Sequence, residues 1–471
     1  MSTLPTSLTI IGAGPGGYVA AFRAADLGLK VTLIDESPSL GGVCLNRGCI
    51  PSKALLHAAH LMTNSTEAKA IGLDFAAPHI DLEKLRGWKN DIIKKLSGGV
   101  AQLAKARKIT CLHGKARLLN NTTLQVTKPD GAVESLSFEQ ALIATGSRPV
   151  ELPFLPKSSR IWDSTDALDL SHVPPTLLII GGGYIGLELG TVYAALGSKV
   201  SVVEALPALM SSADKDLADI VIRRLKKTFS AIMCATRVTA AEETSDGIRV
   251  TLKDEKGAER QETYSQILVS VGRRPNTDGL GLENTAIKLD PKGLITTDEQ
   301  RRTQEKNIFA IGDVTTGPML AHKASHEAKV AADAAAGYAA SYTPKCIACV
   351  VFTDPELAWC GLTEQEARSQ GINIVVSKFP WAASGRAITL NRIDGATKII
   401  ADPKSGRILG VGIAGIHAGE MIAQAALAIE TGMKVDDMEQ TIFAHPTLSE
   451  TMLEATEGIF GQATHIYLPK K

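Results

Sequence analysis

The sequence predicts an α/β fold containing two Rossmann-like domains, and two regularities carry that prediction. Leu8-Thr9-Ile10-Ile11 is a strand-like apolar run that turns through Gly12-Ala13-Gly14-Pro15-Gly16-Gly17 into the helix-like YVAAFRAADLG, followed by a strand from Lys30 to Ile34 that ends at Asp35. The same order is written again: LLII, then Gly181-Gly182-Gly183-Tyr184-Ile185-Gly186, then LELGTVYAALG, then Lys199 to Val203 ending at Glu204. First glycine and terminal acid are 23 positions apart both times. Repetition of turn, helix and acid together marks two copies of one unit.

Each residue of the unit has a physical task. Gly12 and Gly181 permit the tight turn out of the strand, Gly14 and Gly183 let backbone approach a pyrophosphate at the helix N-terminus, and Gly17 and Gly186 let the helix pack closely. Asp35 and Glu204 are placed to bind ribose hydroxyls. No Arg or Lys occurs in VVEALPALMSS around Glu204. A 2′-phosphate there would be repelled and left unpaired, which favours NAD over NADP.

Two apolar closures, ALIATGSRPVELP and ILVSVGRRPN, punctuate the chain, with Pro149 and Pro153 placing one boundary near 150 and Pro275 another near 276. Ile308-Phe309-Ala310-Ile311-Gly312-Asp313 adds a strand whose final carboxylate either reaches a cofactor polyol or caps a turn. No low-complexity linker separates these pieces, so they are expected to pack together.

Bulk properties narrow the function classes. Lys+Arg and Asp+Glu both number 50 among 471 residues, which offers no basic face for nucleic acid. MSTLPTSLTIIGAG enters an apolar strand without a targeting pattern. Val411 to Met433 is apolar but carries His417, Glu420 and Glu430, so a buried or interface helix is expected there and no membrane span. Seven cysteines are odd in number and few, which argues for reduced thiols in a cytoplasmic setting.

GGVCLNRGCIPSK, from Gly41 to Lys53, sets Cys44 and Cys49 five positions apart. A disulfide closing so short a ring removes little entropy from the unfolded chain, so stability is a poor reason for it. A zinc site calls for about four ligands in close pairs, and no second Cys/His pair follows nearby. Cys346-Ile347-Ala348-Cys349 sits in an apolar strand-like run where buried cysteines are common, and Cys111, Cys234 and Cys360 read as core for the same reason. No metal site is expected. Cys49 opens the helical run IPSKALLHAAHLM, so helix-end amides should lower its thiol pKa. Thiol exchange would need a base, and His445 suits neutral pH with Glu450 as its orienter, although His445-Pro446 alone reads equally as a loop histidine.

GGVCLNRGCIPSKALL, ATGSRP, GGGYIGLELG, VGRRPN, FAIGD, MLAHKASHE, FPWAASGRA and HPTLSE together give a chain that resembles, over essentially its whole length, the FAD-dependent pyridine nucleotide disulfide oxidoreductases. Within them it looks most like the branch that oxidises dihydrolipoyl groups for 2-oxo acid dehydrogenase complexes and glycine cleavage. The resemblance implies an FAD-binding domain from segments 1–150 and 276–345, an NAD-binding domain at 151–275, and a C-terminal α+β dimerisation domain at 346–471. FAD is then expected on Gly12, Gly14 and Gly17, with Asp35 on its ribose, backbone near Ala116 and Gly146 beside it, and Asp313 and Ala321 on the ribityl and phosphate side. Lys53 would sit by the flavin paired with Glu188. NAD is expected on Gly181, Gly183 and Gly186, with Glu204 on its ribose and Val238 and Gly272 lining the site.

The same resemblance makes Cys49 the flavin-proximal sulfur and Cys44 the sulfur exchanged with substrate. His445, oriented by Glu450, would act on the disulfide of the other subunit of a homodimer. Lipoyl domains, peripheral-subunit-binding domains and the glycine cleavage carrier protein are the implied partners. A glutathione-type reductase is the alternative, which would normally show basic residues around Glu204. One departure is Arg47, where the family often has a small aliphatic residue. It is expected to be a salt-bridged surface turn, or else a cation that favours the thiolate.

Overall fold

The computed structural model describes residues 7–467. Its first sheet is fully parallel, in the order Ile308–Ala310, Ala141–Ile143, Leu8–Ile11, Val31–Asp35, Thr110–His113. The first four of these strands are apolar and buried on both faces, as a parallel sheet covered by helices requires, and only the edge strand Thr110–His113 is exposed. The first glycine turn leads directly into the helix Pro15–Asp26, which packs on Ala321–Ala335. The strand that ends near Gly312-Asp313 thus joins the sheet begun by Leu8, so the central segment completes the first layer.

The second sheet repeats the plan: Ala231–Met233, Lys199–Val203, Thr176–Ile180, Gln266–Val269 and Ile161–Trp162, again all parallel. The two punctuating motifs meet: Ser147–Pro149 pairs antiparallel with Arg273–Pro275, placing Arg274 opposite Arg148. Both arginines reach Asp278. A third, antiparallel sheet follows, in the order Cys349–Val351, Glu356–Gly361, Ile408–Gly415, Ala396–Ala401, Val375–Pro380. Helices Ala418–Thr431 and Glu450–Glu457 pack on it.

Two expectations about local structure are corrected. The apolar run from Val411 to Met433 is not one helix but the end of the strand Ile408–Gly415 and then the helix Ala418–Thr431. Its glycines are the reason: a Cβ on Gly410 would stand 1.9 Å from the Leu362 carbonyl oxygen, and one on Gly412 2.3 Å from the Leu217 side chain. They thin the strand so that neighbours can approach it. Cys111, expected in the core, is exposed on the edge strand Thr110–His113. Cys234 is only half-buried, whereas Cys360 is core as expected. Among the described residues no helix is long and apolar enough to cross a membrane.

The second and third sheets are joined by a buried cation. Lys398, 2% exposed, sets its Nζ 3.2 Å from Asp214, 2.5 Å from Asp216 and 2.5 Å from Glu364. Burial lowers the Lys398 pKa, but hydrogen bonds to Asp216 and Glu364 outweigh it and the ammonium is held above its usual range. The buried ammonium therefore offsets part of the charge of the three carboxylates, with Lys378 on Asp216 and Arg368 on Glu364 adding to it from the surface.

Candidate active site: two clefts around a cysteine pair

The first glycine loop opens on a cleft of about 940 Å³ whose walls include Gly12, Gly14, Asp35, Cys44, Cys49, Lys53, Ala116, Gly146, Asp313 and Ala321. The second loop opens on a cleft of about 980 Å³ lined by Gly181, Gly183, Glu204, Val238 and Gly272. Tyr184 and Arg273 line both. Gly17 and Gly186 line neither, because both are buried beneath their own loops.

What a side chain would meet at each glycine separates folding from binding. A Cβ on Gly12 would lie 2.2 Å from the Ala144 oxygen, and one on Gly181 2.5 Å from the Ser270 oxygen, both at positive φ (+103° and +109°). A Cβ on Gly17 would lie 1.7 Å from the Gly12 oxygen, and one on Gly186 2.6 Å from the Gly181 oxygen. The protein's own backbone therefore forces these four. The middle glycines differ: Gly183 has nothing within 4 Å, and Gly14 only the Gly42 Cα at 4.0 Å. Space that the fold leaves clear, in front of a helix N-terminus, fits a pyrophosphate.

The acids brace these loops. Asp35 accepts from the Ala13 amide at 2.5 Å and the Ser37 amide at 2.7 Å. Glu204 accepts from the Gly182 and Leu206 amides, both at 2.7 Å. Each carboxylate oxygen keeps a second lone pair, so the same acids can still take a ribose hydroxyl at the loop mouth.

Cys44 lies on a short helix, Gly42–Arg47, and Cys49 is the first residue of the helix Cys49–Glu67. Their thiols are free and hydrogen-bonded to each other. The bond from Cys44, opposed by burial and aided by Lys53 and a backbone amide, lowers the Cys49 thiol to about 7, while the same bond and burial push Cys44 up. The exposed surface of Cys49 faces the first cleft. Arg47 ends the short helix exposed and, among the described residues, without a salt bridge. The expected salt bridge is therefore not formed; Arg47 lines the first cleft with both cysteines, and the largest influences on the two thiols come from other groups.

Lys53, one turn beyond Cys49, pairs with Glu188 at 2.7 Å and sits 4.4 Å above the Phe352 ring. Glu188 is 3% exposed and also accepts from Ser52 Oγ at 3.1 Å and the Phe352 amide at 3.0 Å. One carboxylate thus ties the cysteine helix, the second glycine-loop helix and the third sheet together.

Sequence reasoning had not singled out Ser52, Phe352, Ser147, Arg273, Lys323 or Glu327 as site residues. Asp313 Oδ2 accepts from Ser147 Oγ at 2.5 Å, and Arg273 Nε donates to that same Oγ at 2.8 Å. Behind Asp313, fully buried Glu327 accepts from the Gly312 amide at 2.6 Å, and Lys323 donates to the Gly312 carbonyl at 2.9 Å. The motifs ATGSRP, VGRRPN and MLAHKASHE carried Ser147, Arg273, Lys323 and Glu327, but only pairing across the fold gives them partners.

His445 and Glu450 meet as their spacing suggests, Nδ1 to Oε1 at 2.8 Å, with the Thr447 amide donating to the other oxygen at 2.6 Å. Burial pushes Glu450 up, but the Thr447 amide and the His445 ring outweigh it and hold the carboxyl below its ordinary range. The imidazole is 78% exposed and lines neither cleft, so within one chain the dyad stands apart from the cysteines.

Residues 6–328 match the family described as pyridine nucleotide-disulphide oxidoreductase, and residues 347–456 match the dimerisation domain of that family. A dihydrolipoyl dehydrogenase of Geobacillus stearothermophilus is 47% identical over 98% of this chain and 98% of its own. One of Vibrio cholerae is 45% identical over 98% and 97%. Among solved structures, LpdA of Mycobacterium tuberculosis superposes with a TM-score of 0.88 at 26% identity, covering 96% of this chain and 99% of that one. The HOCl-induced flavoprotein disulfide reductase RclA of Escherichia coli gives 0.85 at 29%, over 96% and 99%. With both family models matched in order along an α/β chain of this architecture, the protein belongs to the pyridine nucleotide-disulphide oxidoreductases.

Proposed function

We propose that this protein is a dihydrolipoyl dehydrogenase, oxidising protein-bound dihydrolipoyl groups with FAD and NAD as its dinucleotides. The observation that carries the reading is the Cys44–Cys49 pair, set in the wall of the first cleft with the lower-pKa thiol beside Lys53. Near full-length similarity to proteins of that name supports it. Residues 1–150 with 276–345 are assigned to FAD, 151–275 to NAD, and 346–471 to the dimer interface. FAD, when bound, supplies two-electron acceptance from the dithiol and hydride delivery to NAD.

The chain's own groups divide the remaining work. His445 of one subunit takes the proton of a substrate thiol, with Glu450 fixing its tautomer and stabilising the imidazolium. The substrate thiolate attacks Cys44 in the Cys44–Cys49 disulfide, and Cys49 leaves as thiolate, the form its helix end and Lys53 favour. The second substrate thiol attacks the lipoyl sulfur of the mixed disulfide, closing the lipoyl ring and releasing Cys44, which recovers the proton. Lys53, held by Glu188, supplies positive charge as electrons arrive.

Gly14 and Asp35 would hold the first dinucleotide, with Ala116, Gly146, Asp313 and Ala321 along it. Gly183, Glu204, Val238 and Gly272 would hold the second. The lipoyl arm comes from another protein, a lipoyl domain of a 2-oxo acid dehydrogenase complex docked through a peripheral-subunit-binding domain, or the glycine cleavage carrier, in the cytoplasm. In a homodimer the exposed His445 reaches the cysteines of the opposite chain. Cys44→Ser and Cys49→Ser should each abolish dihydrolipoamide oxidation and spare NADH-to-dye reduction. Normal dihydrolipoamide turnover in either variant would sink the relay.

A further inference from the structure

A second pair of thiols lies in the third sheet, outside both loops. Cys360, in the strand Glu356–Gly361, is 1% exposed and packs in a core with Trp381, Met421 and Ala425. Cys346, half-buried, enters the same core from the segment leading into the sheet, its Sγ 3.8 Å from the Ala426 carbonyl oxygen. The strand Cys349–Val351 runs antiparallel to Glu356–Gly361 with Cys349 opposite Trp359. That register brings the approaching segment beside Cys360, and the two thiols meet in the same core, near enough for each to shift the other's ionisation. Cys349 instead lines the second cleft.

This repeats the arrangement of Cys44 and Cys49: two free thiols in mutual contact, one of them more accessible. We propose that Cys346 and Cys360 are a second redox-active dithiol, closing to a disulfide when the protein meets a hydroperoxide. Only Cys346 has to reach the oxidant, and Cys360 holds its thiol below the usual range against the effect of burial. The Cys346 thiolate attacks the peroxide, the O–O bond breaks, and alkoxide leaves to take up a proton as the alcohol, giving a sulfenic acid on Cys346. The Cys360 thiol then attacks that sulfur. The S–O bond breaks and water departs with the Cys360 proton. Two thiols have lost two electrons, and the hydroperoxide has become alcohol and water.

The pair is independent of the relay proposed above, since neither sulfur lines a cleft wall. The test uses the full-length flavin-loaded protein, reduced, desalted and treated with tert-butyl hydroperoxide, then alkylated and digested with chymotrypsin. Cleavage after Phe352 and Trp359 separates Cys346 from Cys360, which trypsin would leave on one peptide after Lys345. A Cys346–Cys360 linked peptide that a dithiol reductant dissolves, with Cys349 alkylated, is the expected result. Cys360→Val should lose the link and leave Cys346 open to dimedone. Cys346→Val, read by full alkylation of Cys360, serves if the first variant does not fold. Recovery of both residues as alkylated thiols after peroxide, or a link from Cys346 to Cys349, would overturn the proposal.

Discussion

Behind the middle glycine of the first loop stands Gly42, and a Cβ placed on Gly42 would come within 2.5 Å of the Gly14 Cα. Behind the middle glycine of the second loop there is open space. Gly42 begins the short helix that carries Cys44, so the first loop is roofed by the redox segment and the second is not. Both loops otherwise share turn geometry, helix start and a bracing acid that accepts two amides. The difference teaches which dinucleotide stays. One held by the first loop would lie between loop and dithiol, where a resident electron acceptor belongs, while no such segment stands over the middle glycine of the second.

The harshest way to break this comparison is at the outer glycines, where the two loops should behave alike. Gly12→Ala and Gly181→Ala each force a Cβ into a carbonyl oxygen at positive φ. Each should cost about 3 kcal/mol or more. Thermal melting should fall for both, and Gly12→Ala should also lose its yellow colour. A Gly12→Ala protein with normal Tm and full flavin would show that the backbone fit is not what fixes this position.

At the middle glycines the loops should part from their outer neighbours. Gly183→Ala has no protein atom to meet, so Tm and flavin content should hold while the KM for NAD rises about tenfold, equivalent to about 1.4 kcal/mol of lost binding. A drop in Tm matching that of Gly181→Ala would erase the distinction between glycines kept for folding and for ligand. Gly14→Ala should likewise fold but release flavin more readily.

A smaller effect concerns the dithiol that only the first loop carries. Cys49 titrates near 7, with Lys53 lowering its pKa and Glu188 raising it. Thiolate therefore accumulates as pH rises through neutrality. The long-wavelength absorbance of the two-electron-reduced protein should follow that rise. Glu188→Gln removes a negative charge and should move the midpoint down, whereas Lys53→Met should move it up. Midpoints that do not move, or move the other way, would remove these two residues from the control of Cys49.

How much of this was legible in the sequence depends on the range of the interaction. The repeated units were readable because turn, helix and acid are local and each glycine is demanded by a backbone carbonyl nearby. His445 and Glu450 were readable because five residues span one turn into a helix. Cys111 was misread because apolar neighbours announce a strand but not that the strand lies at a sheet edge. The run from Val411 was misread because its glycines look permissive in sequence, yet serve close approach to Leu362 and Leu217. Neither the contact of Cys346 with Cys360 nor the convergence of Lys398 on three acids has any local signal. Arg47 was given a role on proximity in sequence alone; it lines the first cleft beside the cysteines, but among the described residues no carboxylate pairs with it.

The finest test of the two loops is the acid at the end of each. Glu204→Gln keeps one acceptor for the Gly182 and Leu206 amides but loses the other, a cost near 1 kcal/mol for a part-exposed bond. It also removes the charge that repels a 2′-phosphate. The KM for NAD should therefore rise about fivefold, and the NADP-to-NAD ratio of kcat/KM should rise about fivefold, with flavin content unchanged. Asp35→Asn makes the same change in the first loop, bonded to Ala13 and Ser37, and should leave the NADP-to-NAD ratio where it was. If Asp35→Asn shifted that ratio as much as Glu204→Gln, the two loops would not be holding different dinucleotides. An unchanged ratio in Glu204→Gln would instead mean that the missing Arg or Lys, rather than the carboxylate, sets the preference for NAD.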